Sequence, residues 1–125
     1  MQTRTYQLIT QISQANAANI TIIAPGYIHG VCWAGFLTSQ TDNDSVQAEL
    51  SFQNASQIGV HNALGVIDTV SLFCNVAGAT GLAYPRLDKV CMGMYMPVGI
   101  GQVIYLNTSI VGGGTVKALL HVIER

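Results

Sequence analysis

Charge is what this sequence has least of. Only 9 % of its 125 residues are Asp, Glu, Lys or Arg, while 50 % are hydrophobic; an average soluble domain carries about 25 % charged residues. A free monomer of this size normally covers itself with charge, which keeps copies apart. Here Ser, Thr, Asn and Gln fill the polar positions, and these enter an interface at lower desolvation cost than ions do. The deficit points to a subunit whose surface is largely covered by neighbours. Cations are scarcer still: Arg4, Arg86, Lys89, Lys117 and Arg125 are scattered, and the net charge is −1. Nucleic acid and anionic membrane surfaces both require clustered Lys and Arg, so neither is an expected partner.

Long apolar runs are missing too. No segment approaches the length of a membrane span, and MQTRTYQLITQ lacks the apolar core of a signal peptide. The expectation is a chain made in a cytoplasm and starting at Met1. Cysteine is limited to Cys32, Cys74 and Cys91. An odd number, widely spaced and without a Cys-x-x-Cys pair, resembles neither a disulfide framework nor a zinc site, so reduced, buried thiols acting as small hydrophobes are expected. Without a secretory route, the Asn-x-Ser/Thr triplets at Asn19, Asn43, Asn54 and Asn107 read as by-products of composition.

Helical periodicity is also lacking, and strand signals take its place. Val46, Ala48, Leu50 and Phe52 alternate with polar residues, as do Val70, Leu72, Cys74 and Val76, although Phe73 breaks the polar face of the second run. Tyr27 to Thr38 is a long apolar strand interrupted by Gly30 and Gly35, which predict a bulge or a close backbone approach. Further strands are predicted at Thr3–Ile12, Asn19–Ile23, Val90–Met96, Gln102–Ile110 and Thr115–Ile123. Pro25-Gly26, the run from Thr41 to Ser45, Pro97-Val98-Gly99 and Gly112-Gly113-Gly114 carry turn chemistry, the last reading as a hairpin. Gln53–Gly65 reads as a long connection or a further short strand, and Tyr84 to Asp88 as an exposed loop. About eight antiparallel strands in one domain, residues 1–125, predict an all-β sandwich of jelly-roll type. In Val103–Leu106 and Val116–Ile123 both alternating faces are apolar, unlike a strand with one wet face. The predicted cover is another subunit.

The constellations that carry chemistry are sparse. His29, His121 and His61 lie in different segments, with no metal-ligand partner nearby in sequence. Asp42-Asn43-Asp44 and Glu49 start like a calcium loop, but Gln47 and Gln53 occupy its sixth and twelfth positions, where glycine and glutamate are needed. Met92, Met94 and Met96 beside Cys91 offer soft ligands for Cu(I), but their spacing is equally that of a core-facing strand. There is no Gly-x-Ser-x-Gly, no cysteine beside a local base, and few acids for a carboxylate pair, with Asp42, Asp44 and Asp68 reading as loop-borne or strand-edge. Gly99-Ile100-Gly101 lacks the third glycine of a nucleotide fingerprint. The chain therefore reads as a non-enzyme without cofactor or metal. Trp33, Tyr6, Tyr27, Tyr84, Tyr95 and Tyr105 keep a second class open, a carbohydrate-binding jelly-roll module; only Tyr84 lies clearly in a loop.

The segment Ile20-Thr21-Ile22-Ile23-Ala24-Pro25-Gly26, followed by Val31 to Phe36, resembles the opening of small jelly-roll head proteins of tailed bacteriophages. Pro97-Val98-Gly99, then Gly101 to Asn107, a glycine turn and a final strand are similar to their closing half. The resemblance covers most of the chain in strand rhythm and transfers no site. It implies a cement or decoration protein on the capsid exterior of a virion, a homo-oligomer and often a trimer, bridging capsomers of the major capsid protein. Val103, Tyr105, Val116, Leu119, His121 and Ile123 are then the expected subunit interface.

Overall fold

In β10 (Gly114–Glu124) the alternation of the sequence becomes an alternation of burial: Val116, Ala118, Leu120 and Val122 are fully buried, while the residues between them are half-exposed. A strand presents alternate side chains to opposite sides, so β10 puts one apolar row into a core and a second row outside it. The structure, a computed structural model, describes residues 2–11, 18–38, 45–54, 65–73, 82–83, 86–108 and 114–125. The other strands are β1 (Gln2–Gln11), β2 (Ala18–Thr21), β3 (Gly26–Thr38), β4 (Ser45–Ser51), β5 (Val66–Phe73), β6 (Leu82–Ala83), β7 (Arg86–Leu87), β8 (Cys91–Val98) and β9 (Val103–Thr108).

They form two antiparallel sheets. Sheet I runs β1-β10-β3, with β8 along the far edge of β3 at residues 26–32 and β6 at residues 37–38. Sheet II runs β2-β9-β4-β5-β7. Leu8, Ile28, Val31, Trp33 and the buried row of β10 come from sheet I, and Ala48, Leu50, Val70, Leu72, Ile104 and Leu106 from sheet II. The fold is therefore an all-β sandwich of jelly-roll type, as the strand rhythm predicts.

Two glycines of β3 act as read from sequence. The register against β8 shifts between Ile28 and Gly30, which places a bulge at His29. At Gly35 an added Cβ would lie 2.8 Å from both the Thr115 carbonyl oxygen and Leu72 Cδ2, so glycine lets the sheets close there.

Other predictions are corrected. Strands β9 and β10 are not a hairpin: β9 pairs with β2 and β4, whereas β10 pairs with β1 and β3, so the chain crosses between sheets. Strand β8 continues through Pro97 and Val98. The turn falls at residues 99–102, where Gly101 has φ +88° and Gln102 Oε1 accepts from the Gly99 N–H at 2.6 Å. Asp68 is inside β5, not at a loop or strand edge, and Arg86-Leu87 pairs with β5. Glu49, weighed as a calcium ligand, is fully buried in β4. Met94 and Met96 pack against the core, while Met92 is exposed. Asp42, Asp44, Asn43, His61, Cys74, Val76, Tyr84, the Gly112-Gly113 pair and most of Gln53–Gly65 lie outside the described residues.

Candidate functional site

Burial and register identify the side chains on the outside of sheet I. Strand β1 contributes Thr3, Thr5, Gln7, Ile9 and Gln11; β10 contributes Thr115, Lys117, Leu119, His121 and Ile123. Strand β3 contributes Tyr27, His29, Cys32 and Ala34, and β8 contributes Cys91, Gly93, Tyr95 and Pro97. Lys117 is the single Lys, Arg, Asp or Glu among these positions. At about 4.8 Å between strands and 3.3 Å per residue, the face covers on the order of 600 Å².

The face has three neighbourhoods. At one end Tyr27 and Tyr95 are tilted rings with centroids 4.7 Å apart, and Arg125 donates to the Tyr95 hydroxyl at 3.4 Å. In the middle His29 and His121 meet edge-on with centroids 6.4 Å apart, and Thr5 Oγ1 lies 3.2 Å from His121 Nδ1. The sequence separates these histidines by most of the chain; the β3–β10 ladder, which sets Gly30 opposite His121, brings them together. Beyond them Cys32 and Cys91, register partners on β3 and β8, form a disulfide. This corrects the expectation of reduced, buried thiols, for Cys91 is exposed and Cys32 half-buried. A depression of about 90 Å³ beside Cys32 is lined by Ala34, Lys117 and Leu119. Small-molecule pockets run to about 300–1,000 Å³.

The residues expected at an interface separate into three places. Leu119, His121 and Ile123 lie together on the outside of sheet I. Val116 is fully buried in the core and is withdrawn, because it belongs to the inward row of β10. Val103 and Tyr105 lie on β9 of sheet II, beside Asn19 and Thr21 of β2. Apart from Val103 and Tyr105, the outer side of sheet II is polar among the described residues. There Asn107, Glu49 and Ser51 are fully buried, with Asn107 Nδ2 2.9 Å from Ser51 Oγ, 3.1 Å from the Gln53 carbonyl and 3.4 Å from Glu49 Oε1. Asn107 is thereby unavailable to a glycan in the folded state.

Inside the sandwich, the Asp68 carboxylate accepts from Trp33 Nε1 and from Lys89 Nζ, each at 2.8 Å, and so ties β3 to β5. Arg4 and Glu124 form a 2.8 Å ion pair at the rim between β1 and β10. Among the described residues no three His, Cys, Asp or Glu side chains converge on one point, and no helix is long and apolar enough to cross a membrane.

No protein-family model matches this sequence, and no curated protein sequence matches it. Among solved structures, the chain is similar to the Eiger TNF of S. frugiperda, with a TM-score of 0.57 at 6 % identity over 98 % of this chain and 94 % of that one. That likeness is one of fold, and it defines the class as a jelly-roll-like β-sandwich.

Proposed function

We propose that this chain is a non-enzymatic structural subunit, a homo-oligomer closed through the outside of sheet I. The observation that supports this is the composition of that face: among the described residues, eighteen outward positions on four paired strands carry a single formal charge, Lys117, and Ile9, Tyr95, Leu119 and Ile123 are partly or well exposed. Monomers of this size normally cover such a face with charge. A second copy is the occupant that fits it, since on the order of 600 Å² approaches the roughly 800 Å² per partner of a stable interface. The outer side of sheet II is less open, since Asn107, Glu49 and Ser51 are already buried there within the chain itself.

The more specific reading is a trimeric cement protein on the capsid exterior of a virion, bridging capsomers of the major capsid protein. It is supported by the sequence resemblance to phage head proteins and by the shortage of charge. Cementing would spread binding over many modest contacts and multiply them through the oligomer. The test adds purified chain to bare capsids of its source virus and follows sedimentation and heat resistance of the shells. Co-sedimentation with raised heat resistance is expected; an oligomer that leaves the shells bare and unprotected overturns the capsid reading and sends the search to glycan arrays.

A further inference from the structure

We propose that His29 and His121 form the protein half of a divalent transition-metal site on the outside of sheet I, completed by an imidazole from a second copy, so that zinc tightens the assembly. The two-imidazole part stands on this chain alone; the second-copy part rests on the assembly reading above.

The geometry carries the argument. Zinc binds imidazole nitrogen at about 2.0–2.1 Å, which puts the ion about 3.2 Å from each ring centre. Two rings on one tetrahedral ion therefore have centroids roughly 5 Å apart. The observed 6.4 Å is longer than that separation, and a turn of the exposed His29 ring toward His121 closes the difference. His121 is already oriented. Thr5 Oγ1 lies 3.2 Å from Nδ1; in the tautomer whose Nδ1–H donates to that hydroxyl, Nε2 is the ligating nitrogen, as in metal sites where the second ring nitrogen is held by an outer partner. The surroundings admit an ion. Gly93, on the strand beside Gly30, faces open space, and the neighbours Thr5, Leu119, Ile123 and Tyr95 bear no formal charge, although the Arg125 guanidinium lies 3.4 Å from the Tyr95 hydroxyl. Lys117 lies four residues along β10 from His121, about 13 Å away.

The test uses the oxidised full chain without reducing agent, titrated with ZnCl₂ by calorimetry while light scattering follows mass. Saturable binding with an oligomer stabilised to at least tenfold greater dilution is expected. His29→Gln and His121→Gln should each weaken zinc binding at least tenfold, Thr5→Val should weaken it about tenfold through lost orientation of His121, and Lys117→Ala should leave it unchanged. Zinc that binds equally to wild type and both glutamine variants overturns the site, as does no saturable binding. Zinc bound through both histidines with unchanged mass overturns the second-copy part. An oligomer that forms without zinc and ignores it sinks this inference while leaving the assembly reading intact; a monomer under every condition sinks the assembly reading.

Discussion

Asp68 shows how much one buried polar group can decide in a chain with so few charges. Its carboxylate is almost fully buried and accepts from the Trp33 indole and from the Lys89 ammonium. Hydrogen bonds to charged groups contribute about 1.5–3 kcal/mol each, and a partner left unpaired adds its own desolvation cost. Asp68→Ala is therefore expected to cost about 3 kcal/mol, read as a lower urea midpoint at unchanged slope; a loss below about 1 kcal/mol would contradict the inter-sheet tie. Asn107→Ala removes the amide that Ser51 Oγ and the Gln53 carbonyl face at 2.9 and 3.1 Å. About 1–3 kcal/mol should be lost, and the melting temperature should fall by roughly 3–4 °C per kcal/mol for a chain of this size. The sequence disclosed neither role. A lone Asp in an apolar run looks like a strand edge, and a partner 35 residues away leaves no local trace.

At the scale of the element, β3 and its partners hold most of what was legible and most of what was not. Gly30 and Gly35 announced a bulge and a close approach because glycine inside an apolar strand has few other uses. Gly35→Val is expected to destabilise by about 1–3 kcal/mol, as overpacking does, because the Thr115 carbonyl and Leu72 already occupy the space a side chain needs. Equal urea midpoints for the variant and wild type would refute this. The Cys32–Cys91 disulfide was illegible, since spacing along the chain does not reveal that β8 lies beside β3. It closes a loop across 59 residues of separation, and the chain-entropy view assigns about 4 kcal/mol to such a loop, with about 2–4 typical in practice. Reduction, or Cys32→Ser with Cys91→Ser, should lower the melting temperature by several degrees or more; coincident melting curves with and without reductant would contradict it. The glycine run before β10 misled for a related reason. Local turn chemistry reports that the chain reverses, not whether the next strand stays in the same sheet.

Across the whole molecule, the sequence made the class of fold legible through period-two alternation and made the unusual surface legible through its shortage of charge. It did not reveal phase. In a strand apolar on both sides, nothing local says which row faces the core, so Val116 and Leu119 read alike in the sequence although they point to opposite sides of β10. Nor could it join Leu119, His121 and Ile123 to Tyr27, His29 and Tyr95, which share a surface only through antiparallel register. With that surface assembled, a charge placed in it should separate subunits while leaving the fold intact, because an unpaired ion at an apolar interface loses its hydration without compensation. Leu119→Lys and Ile123→Lys are the substitutions of choice, and Ile100→Lys, at a turn residue 69 % exposed, is the control.

The most direct measurement is light scattering after size exclusion, over a dilution series, on wild type, the Leu119→Lys/Ile123→Lys double variant and the Ile100→Lys control. The account predicts a closed oligomer for wild type and the control, about three chain masses of 13.3 kDa for a trimer, and a folded monomer for the double variant. A wild-type chain that stays monomeric at every concentration, or a double variant that keeps its full oligomeric mass, would contradict the assignment of sheet I as the assembly face.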